Sequence, residues 1–274
     1  MAQKRAAFFL SDRTGITAEM LGHSLLTQFD EVRFVEVTLP FVDSIDKARD
    51  AVNRINQQAA EDGVRPVVIS TLAKTEIAQV VGRANALFLD CFEMFIGPLE
   101  RELGSLASHA VGRTHNVSDI VNYYHRIEAV NYALAHDDGL ARRDLAEADI
   151  ILVGVSRSGK TPTCLYLAMQ YGIRAANYPL TPDDFASMCL PSKVRPYRGR
   201  LYGLTIKAER LQQIRNERRP GSKYATLDNC EYEIREAEGM MRQERIPFLD
   251  ATSKSVEELA TTILQEARLQ RRIY

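Results

Sequence analysis

Four cysteines, Cys91, Cys164, Cys189 and Cys230, are scattered along 274 residues, with no Cys-x-x-Cys pair and no histidine nearby at metal spacing. That pattern argues against a zinc site and fits small buried apolar side chains in a reducing compartment. Net charge is nearly absent too: 35 basic residues face 36 acidic ones, a formal charge of −1. Such a chain has no overall field to draw in nucleic acid or an anionic membrane, so neither is expected as a partner. Long apolar runs are missing as well. The opening stretch Ala6 to Leu10 is too short for a signal-peptide core or a membrane span, and a cytoplasmic protein is the expectation. No internal repeat and no low-complexity tract is evident.

What is present is the composition of a soluble globular protein, 45% hydrophobic and 26% charged, long enough for two domains with their own cores. Short apolar runs alternate with amphipathic stretches, the pattern of α/β units with parallel sheets. Ala6 to Leu10, Phe34 to Leu39 and Val67 to Ser70 read as strands of a first unit. Asp43 and Ser44 are placed to cap a helix on which Ile45, Ala48, Val52 and Ile55 share a face. Residues 103–117, rich in Gly, Ser, Ala and His, suit a connection, and a helix through Ile120, Tyr124, Ile127, Asn131 and Leu134 follows it, stopping at His136-Asp137-Asp138-Gly139. Strands are then expected at Ile150 to Val153, Ile173 to Tyr178, Leu201 to Ile206 and Ile246 to Leu249. Helices are expected at Thr161 to Tyr171, Glu209 to Arg218, Asp228 to Gln243 and Ser255 to Leu269. The expected division is an N-terminal α/β parallel-sheet domain over 1–105, a connecting segment and helix over 106–145, and a phosphotransferase domain over 146–274.

The sharpest motif is Gly154-Val155-Ser156-Arg157-Ser158-Gly159-Lys160-Thr161, which fits Gly-x-x-x-x-Gly-Lys-Ser/Thr in full between a strand and a helix. Its glycines let backbone N–H groups converge on a phosphate at a helix N-terminus, Lys160 adds a mobile charge, and the Thr161 hydroxyl is placed to ligate magnesium. Pro162 suits the first helical turn. The second unit is therefore expected to be P-loop kinase-like. An apolar strand closing on Asp is not evident downstream, which turns the reading away from motor or signalling NTPases and towards direct transfer to an acceptor. Upstream, Leu87-Phe88-Leu89-Asp90 has that look but reads as a core element ending in a cap.

Beside Lys160, the candidate catalytic groups are His136, Asp137 and Asp138. Two carboxylates at a helix C-terminus are unfavourable by a few tenths of a kcal/mol or more, so a magnesium ion or a hydroxyl needing a base would explain them; a solvated Asp-Gly turn is the plainer account. Ser11 to Thr17 opens a helix after the first strand, where either anion binding or capping by Asp12 and Thr14 would fit. Arg215 to Tyr224, with Arg218, Arg219 and Lys223, reads either as a basic flap over phosphates or as a solvated helix end. His115 and His125 read as structural.

Taken together, these stretches make the chain resemble the phosphoenolpyruvate synthase regulatory proteins, relatives of the plant pyruvate, phosphate dikinase regulatory proteins. The resemblance is carried by Ser11 to Glu19, Tyr132 to Gly139, Gly154 to Thr163 with Tyr166-Leu167-Ala168, Ile173 to Leu180, and the closing Arg271-Arg272-Ile273-Tyr274. It implies a bifunctional serine/threonine protein kinase and phosphorylase, with phosphoenolpyruvate synthase as protein substrate and a homodimer as the assembly. The implied kinase uses ADP to phosphorylate and inactivate a target threonine, and the implied phosphorylase uses inorganic phosphate to remove that group as pyrophosphate. Gly154 to Thr161 would hold the nucleotide, Thr161 the Mg2+, and Asp137 or Asp138 would take the threonine proton or orient the metal. The same chemistry on pyruvate, phosphate dikinase, a small-metabolite kinase, and a nucleotide-sensing module without catalysis remain as alternatives.

Overall fold

The computed structural model describes residues 3–109, 120–137, 145–186 and 189–272. The chain divides into two compact units, Met1–Asn116 and Val117–Tyr274. Both are α/β, as the alternation of apolar runs and amphipathic stretches implies.

In the first unit the elements run β1 (Gln3–Ser11), α1 (Ile16–Leu26), β2 (Val32–Leu39), α2 (Ile45–Asp62), β3 (Val67–Thr71), α3 (Thr75–Val81), β4 (Leu87–Asp90) and α4 (Cys91–Leu103). The sheet order is β2-β1-β3-β4, parallel throughout. Central strands covered on both faces must be apolar on both, and β3 is buried at all five positions. Alternation sends Phe8, Leu10 and Val68 to the side of α2 and α3, and Phe9 and Ile69 to the side of Ala18 and Cys91. Helix α2 buries Ala48, Ala51, Ile55 and Ala59 at three- and four-residue steps, starts on the Ser44 hydroxyl, which accepts from Lys47 N–H, and stops at the left-handed Gly63. Asp90 closes β4 and caps α4, accepting from Phe92 and Glu93 N–H.

The second unit begins with α5 (Ile120–Ala135), followed by β5 (Ile150–Val155), α6 (Lys160–Tyr171), β6 (Ala175–Leu180), α7 (Pro182–Ala186), β7 (Leu201–Thr205), α8 (Ala208–Arg218), α9 (Leu227–Gln243), β8 (Phe248–Asp250) and α10 (Val256–Glu266). Its sheet, β6-β5-β7-β8, is again all parallel and repeats the strand order of the first. Ile151, Val153 and Val155 pack with Leu211, Ala237, Met240 and Met241, while Ile150 and Leu152 pack with Ala129, Ala133, Leu167, Ala260 and Ile263. Each fully buried Ile or Leu contributes about 1.5–3 kcal/mol. Helix α5, which the sequence assigned to a connecting segment, thus shares a core with α6 and α10. Helix α10 starts with a reciprocal capping box between Ser255 and Glu258.

Strand β6 starts two residues later than expected. Gly172 and Ile173 complete a helix stop instead: Gly172 N–H donates to Ala168 O and Ile173 N–H to Leu167 O, with Ile173 buried beneath. Since β6 is an edge strand, its Pro179 removes no ladder bond that the sheet needs.

Candidate active site

Strand β5 is buried at all six positions and delivers the chain into the loop from Gly154 to Thr161. Only glycine fits at 154: φ is 147°, and a Cβ there would lie 2.1 Å from the Leu204 carbonyl oxygen of β7. Arg157 takes φ 77°, rare for a residue with a side chain, and Gly159 at φ 89° caps α6. Lys160 and Thr161 form the first helical turn, where N–H groups have no intrahelical acceptor and the helix dipole is positive. Ser158 Oγ is buried here without a hydrogen-bond partner, and Lys160 is 3% exposed, its Nζ donating to Val155 O at 2.7 Å. A buried hydroxyl without a partner, a buried ammonium and first-turn amides form a donor set suited to a phosphate.

Asp137, two residues beyond the end of α5, comes to this loop. Thr161 Oγ1 donates to Asp137 Oδ1 at 2.7 Å, and Asn177 Nδ2 of β6 donates to the same oxygen at 2.6 Å. These two donors offset the unfavourable position of a carboxylate beyond a helix C-terminus. His136 is buried, its Nδ1 lies 2.8 Å from Tyr132 O, and its ring stacks on Tyr132 at 3.9 Å. Its carbonyl accepts from Asn177 N–H at 3.0 Å, whereas Nε2 is without a hydrogen-bond partner, so the imidazole makes no hydrogen bond to the loop. Asp138 and Gly139 lie outside the described residues. The loop and Asp137, which the sequence singled out separately, thus meet at Thr161. Asn177 completes the contact, and an amide side chain among Ala175, Ala176, Tyr178, Pro179 and Leu180 was the signal that could have found it.

A sequence profile of the kinase/pyrophosphorylase family matches residues 7–264. The chain belongs to that family. A relative from Azoarcus sp. (strain BH72) is 59% identical over 268 residues, 97% of each chain. Relatives from Burkholderia mallei (strain SAVP1) and Burkholderia pseudomallei (strain 668) are 58% identical over 267 residues, covering 97% of this chain and 98% of theirs. All three bear the name "Putative phosphoenolpyruvate synthase regulatory protein".

In this member of the kinase/pyrophosphorylase family the loop is braced from behind. Arg215 of α8 is completely buried, paired with Glu233 of α9 at 2.7 Å. Its Nη2 also donates to Ser156 O at 3.1 Å, its Nη1 to Tyr224 O at 3.1 Å, and its guanidinium lies 3.9 Å from the centre of the Tyr224 ring. Tyr224 in turn donates its phenolic hydrogen to Ser156 Oγ at 3.0 Å. Arg215 is therefore no part of an exposed flap: a guanidinium paired and stacked in the interior cannot swing over a ligand, and of the basic residues in that stretch only Arg218, Arg219 and Lys223 are exposed. Glu233, a carboxylate on a helix face otherwise lined by Cys230 and Ala237, was the sequence signal for this brace.

Two further readings are corrected. A strand closing on Asp does lie downstream: β8 ends at Asp250, two strands away from β5, and its Oδ1 accepts from Thr252 N–H in a turn. The strand expected from the sequence at Ile246 to Leu249 stops one residue short of that Asp. Nor do Asp12 and Thr14 cap α1, which starts at the left-handed Gly15 without a side-chain cap. Asp12 is buried and accepts from Ala73 N–H in the next loop of the sheet, at 3.2 Å, while Thr14 is exposed. Arg13-Thr14-Gly15-Ile16-Thr17 parallels Arg157-Ser158-Gly159-Lys160-Thr161 in sequence, with both glycines near φ 88–89°. This short repeat escapes notice because Leu10 and Ile16 stand where the second loop has Gly154 and Lys160.

Burial beside this site also silences a thiol. Cys164 of α6 is held far above the ordinary thiol range, mainly by burial and further by the Asp137 carboxylate.

Proposed function

We propose that the chain is a bifunctional switch for phosphoenolpyruvate synthase, using ADP to phosphorylate a threonine of that enzyme and inorganic phosphate to remove the phosphoryl group as pyrophosphate. The reading is supported by family membership and by the names of the relatives. The observation that carries it is the Thr161–Asp137 hydrogen bond, in which a carboxylate accepts from the hydroxyl that would face a metal under this reading.

In the forward direction the threonine oxygen bonds to the β-phosphorus of ADP, the bridging bond to the α-phosphate breaks, and AMP leaves. The amides of Gly154 to Thr161, the Ser158 hydroxyl and Lys160 hold the moving phosphoryl group, and the exposed Arg157 adds positive charge at the loop. In the reverse direction inorganic phosphate takes the place of the α-phosphate, its oxygen bonds to the phosphorus of phosphothreonine, the bond from that phosphorus to the threonine oxygen breaks as the oxygen regains its proton, and pyrophosphate departs. One cradle serves both.

Thr161 and Asp137 would hold magnesium, which when bound neutralises charge on the phosphate oxygens. Asp137 suits that side because its Oδ1 already takes the Thr161 hydroxyl hydrogen. Asp138 is then left to take the threonine proton, and His136, anchored on Tyr132, serves as the spacer that fixes Asp137. With a metabolic enzyme as its target, the protein is assigned to the cytoplasm. Among the described residues no helix is long and apolar enough to cross a membrane.

The test is incubation of the protein and phosphoenolpyruvate synthase with ADP labelled in its β-phosphate, with ATP labelled in its γ-phosphate in parallel. Labelled phosphothreonine arising from ADP, then lost as pyrophosphate when phosphate is added, is the expected result. Transfer from ATP alone to a small molecule, or binding without any transfer, would refute the proposal.

A further inference from the structure

We propose that Asn177 is a positioning residue that aims the Thr161 hydroxyl and the Asp137 carboxylate at a divalent cation. The inference rests on the functional reading above, in which those two groups hold magnesium.

Asn177 sits in the middle of β6, with Leu152 of β5 as its register partner, and is buried. Because β6 is the sheet edge, its outward N–H has no strand to pair with, and it donates to His136 O at 3.0 Å. The side chain then reaches the next residue: Nδ2 donates to Asp137 Oδ1 at 2.6 Å and to Thr161 Oγ1 at 3.0 Å. Backbone and side chain of one residue thus grip two successive residues of the segment after α5.

The donor and acceptor roles follow from the chemistry of the groups. A carboxylate cannot donate, so the Asn177 group facing Asp137 is the amide nitrogen, which donates to Asp137 and to Thr161. The Thr161 hydroxyl has one hydrogen and two lone pairs. Its hydrogen goes to Asp137 and one lone pair accepts from Asn177. A single lone pair remains, in a fixed direction, for a cation. Without Asn177 the hydroxyl could rotate about its C–O bond and the carboxylate could turn outward, each losing a donor bond strengthened by the charge of Asp137. Partners that orient metal ligands in this way commonly change metal affinity 10- to 100-fold when removed.

The discriminating measurement is calorimetric titration with ADP across a series of MgCl2 concentrations and in EDTA, on the full chain. Asn177→Leu keeps the volume and removes the donor; Asn177→Ala guards against a shape effect peculiar to leucine. For both, the expected ADP affinity in EDTA is within about twofold of the parent, while the half-saturating Mg2+ concentration rises at least about tenfold. In an Asp137→Ala background the same replacements should shift that midpoint less than about threefold, because the group being aimed is gone. A general loosening of the fold would lower affinity in EDTA as well and would persist in that background. Unchanged Mg2+ midpoints in both variants, with a parent that responds to Mg2+, overturn the role of Asn177 alone. A parent whose ADP affinity is indifferent to Mg2+ overturns the cation reading of Thr161 and Asp137, and the role of Asn177 with it.

Discussion

Replacing Arg215 by methionine isolates what the brace behind the loop contributes. The side chain is completely buried, and its loss leaves the Glu233 carboxylate, 7% exposed, without its cation and the carbonyls of Ser156 and Tyr224 without that donor. Breaking one side of a buried pair costs about 3–5 kcal/mol, because the remaining charge is uncompensated. For a unit of this size each kcal/mol lowers the melting temperature by about 2–4 °C, so a fall of roughly 6–20 °C is expected. Scanning calorimetry reads it as a fall in the transition that belongs to the second unit. The double variant Arg215→Met with Glu233→Leu should recover most of the loss, since a well-packed apolar pair replaces a buried ion pair at little cost. A loss below about 1 kcal/mol in the single variant, or a double variant as unstable as the single one, would refute the reasoning. At temperatures where the single variant is folded, ADP affinity should still fall about tenfold, the equivalent of about 1.4 kcal/mol, because the Ser156 turn loses its anchor.

Lys160→Ala should abolish both phosphorylation and dephosphorylation of the synthase; survival of either in the labelled-ADP assay would sink the shared-site proposal. Gly154→Ala places a methyl group 2.1 Å from Leu204 O at a positive φ, and should cost on the order of 2–5 kcal/mol in urea unfolding; parent-like stability would show that β5 and β7 can part there freely. Burial holds the thiols of Cys91, Cys164 and Cys230 above the ordinary range and Cys189 is exposed, so a maleimide at pH 8 should label Cys189 first and the other three only on unfolding. Comparable rates read by mass spectrometry would contradict that order.

Local patterns were legible and tertiary ones were not. The Gly154 to Thr161 loop could be read because strand, glycines and helix start are contiguous, and α2 because its apolar spacing and caps agree. Helix α4 was missed: Gly97 and Pro98 sit within it and argue against a helix on propensity, yet Pro98 is accommodated. Ile173 looked like the start of a strand because an apolar residue that seals a helix end and one that begins a strand are alike in sequence. The partnership of Asp137 with Thr161 spans 24 residues and that of Arg215 with Ser156 spans 59, and no periodicity reports on either. Arg215 was misread for a related reason: amid Arg218, Arg219 and Lys223 its charge suggested solvent, and only the opposing Glu233 shows that it points inward.

Asp137 enters the site from a helix that precedes the sheet, not from the end of a strand within it. Under the proposed function, the residues that hold a phosphate and the carboxylate that helps to move it thereby come from different lengths of chain. A chain altered only at Asp137 would, on that proposal, keep every residue of the Gly154 to Thr161 loop and the core that α5 shares with α6 and α10, yet it would bind without turnover. Modularity of this kind would let selection tune or disable the chemistry by changing Asp137 while the Gly154 to Thr161 loop goes untouched, and it would make the presence of the loop alone a poor guide to activity in diverged copies.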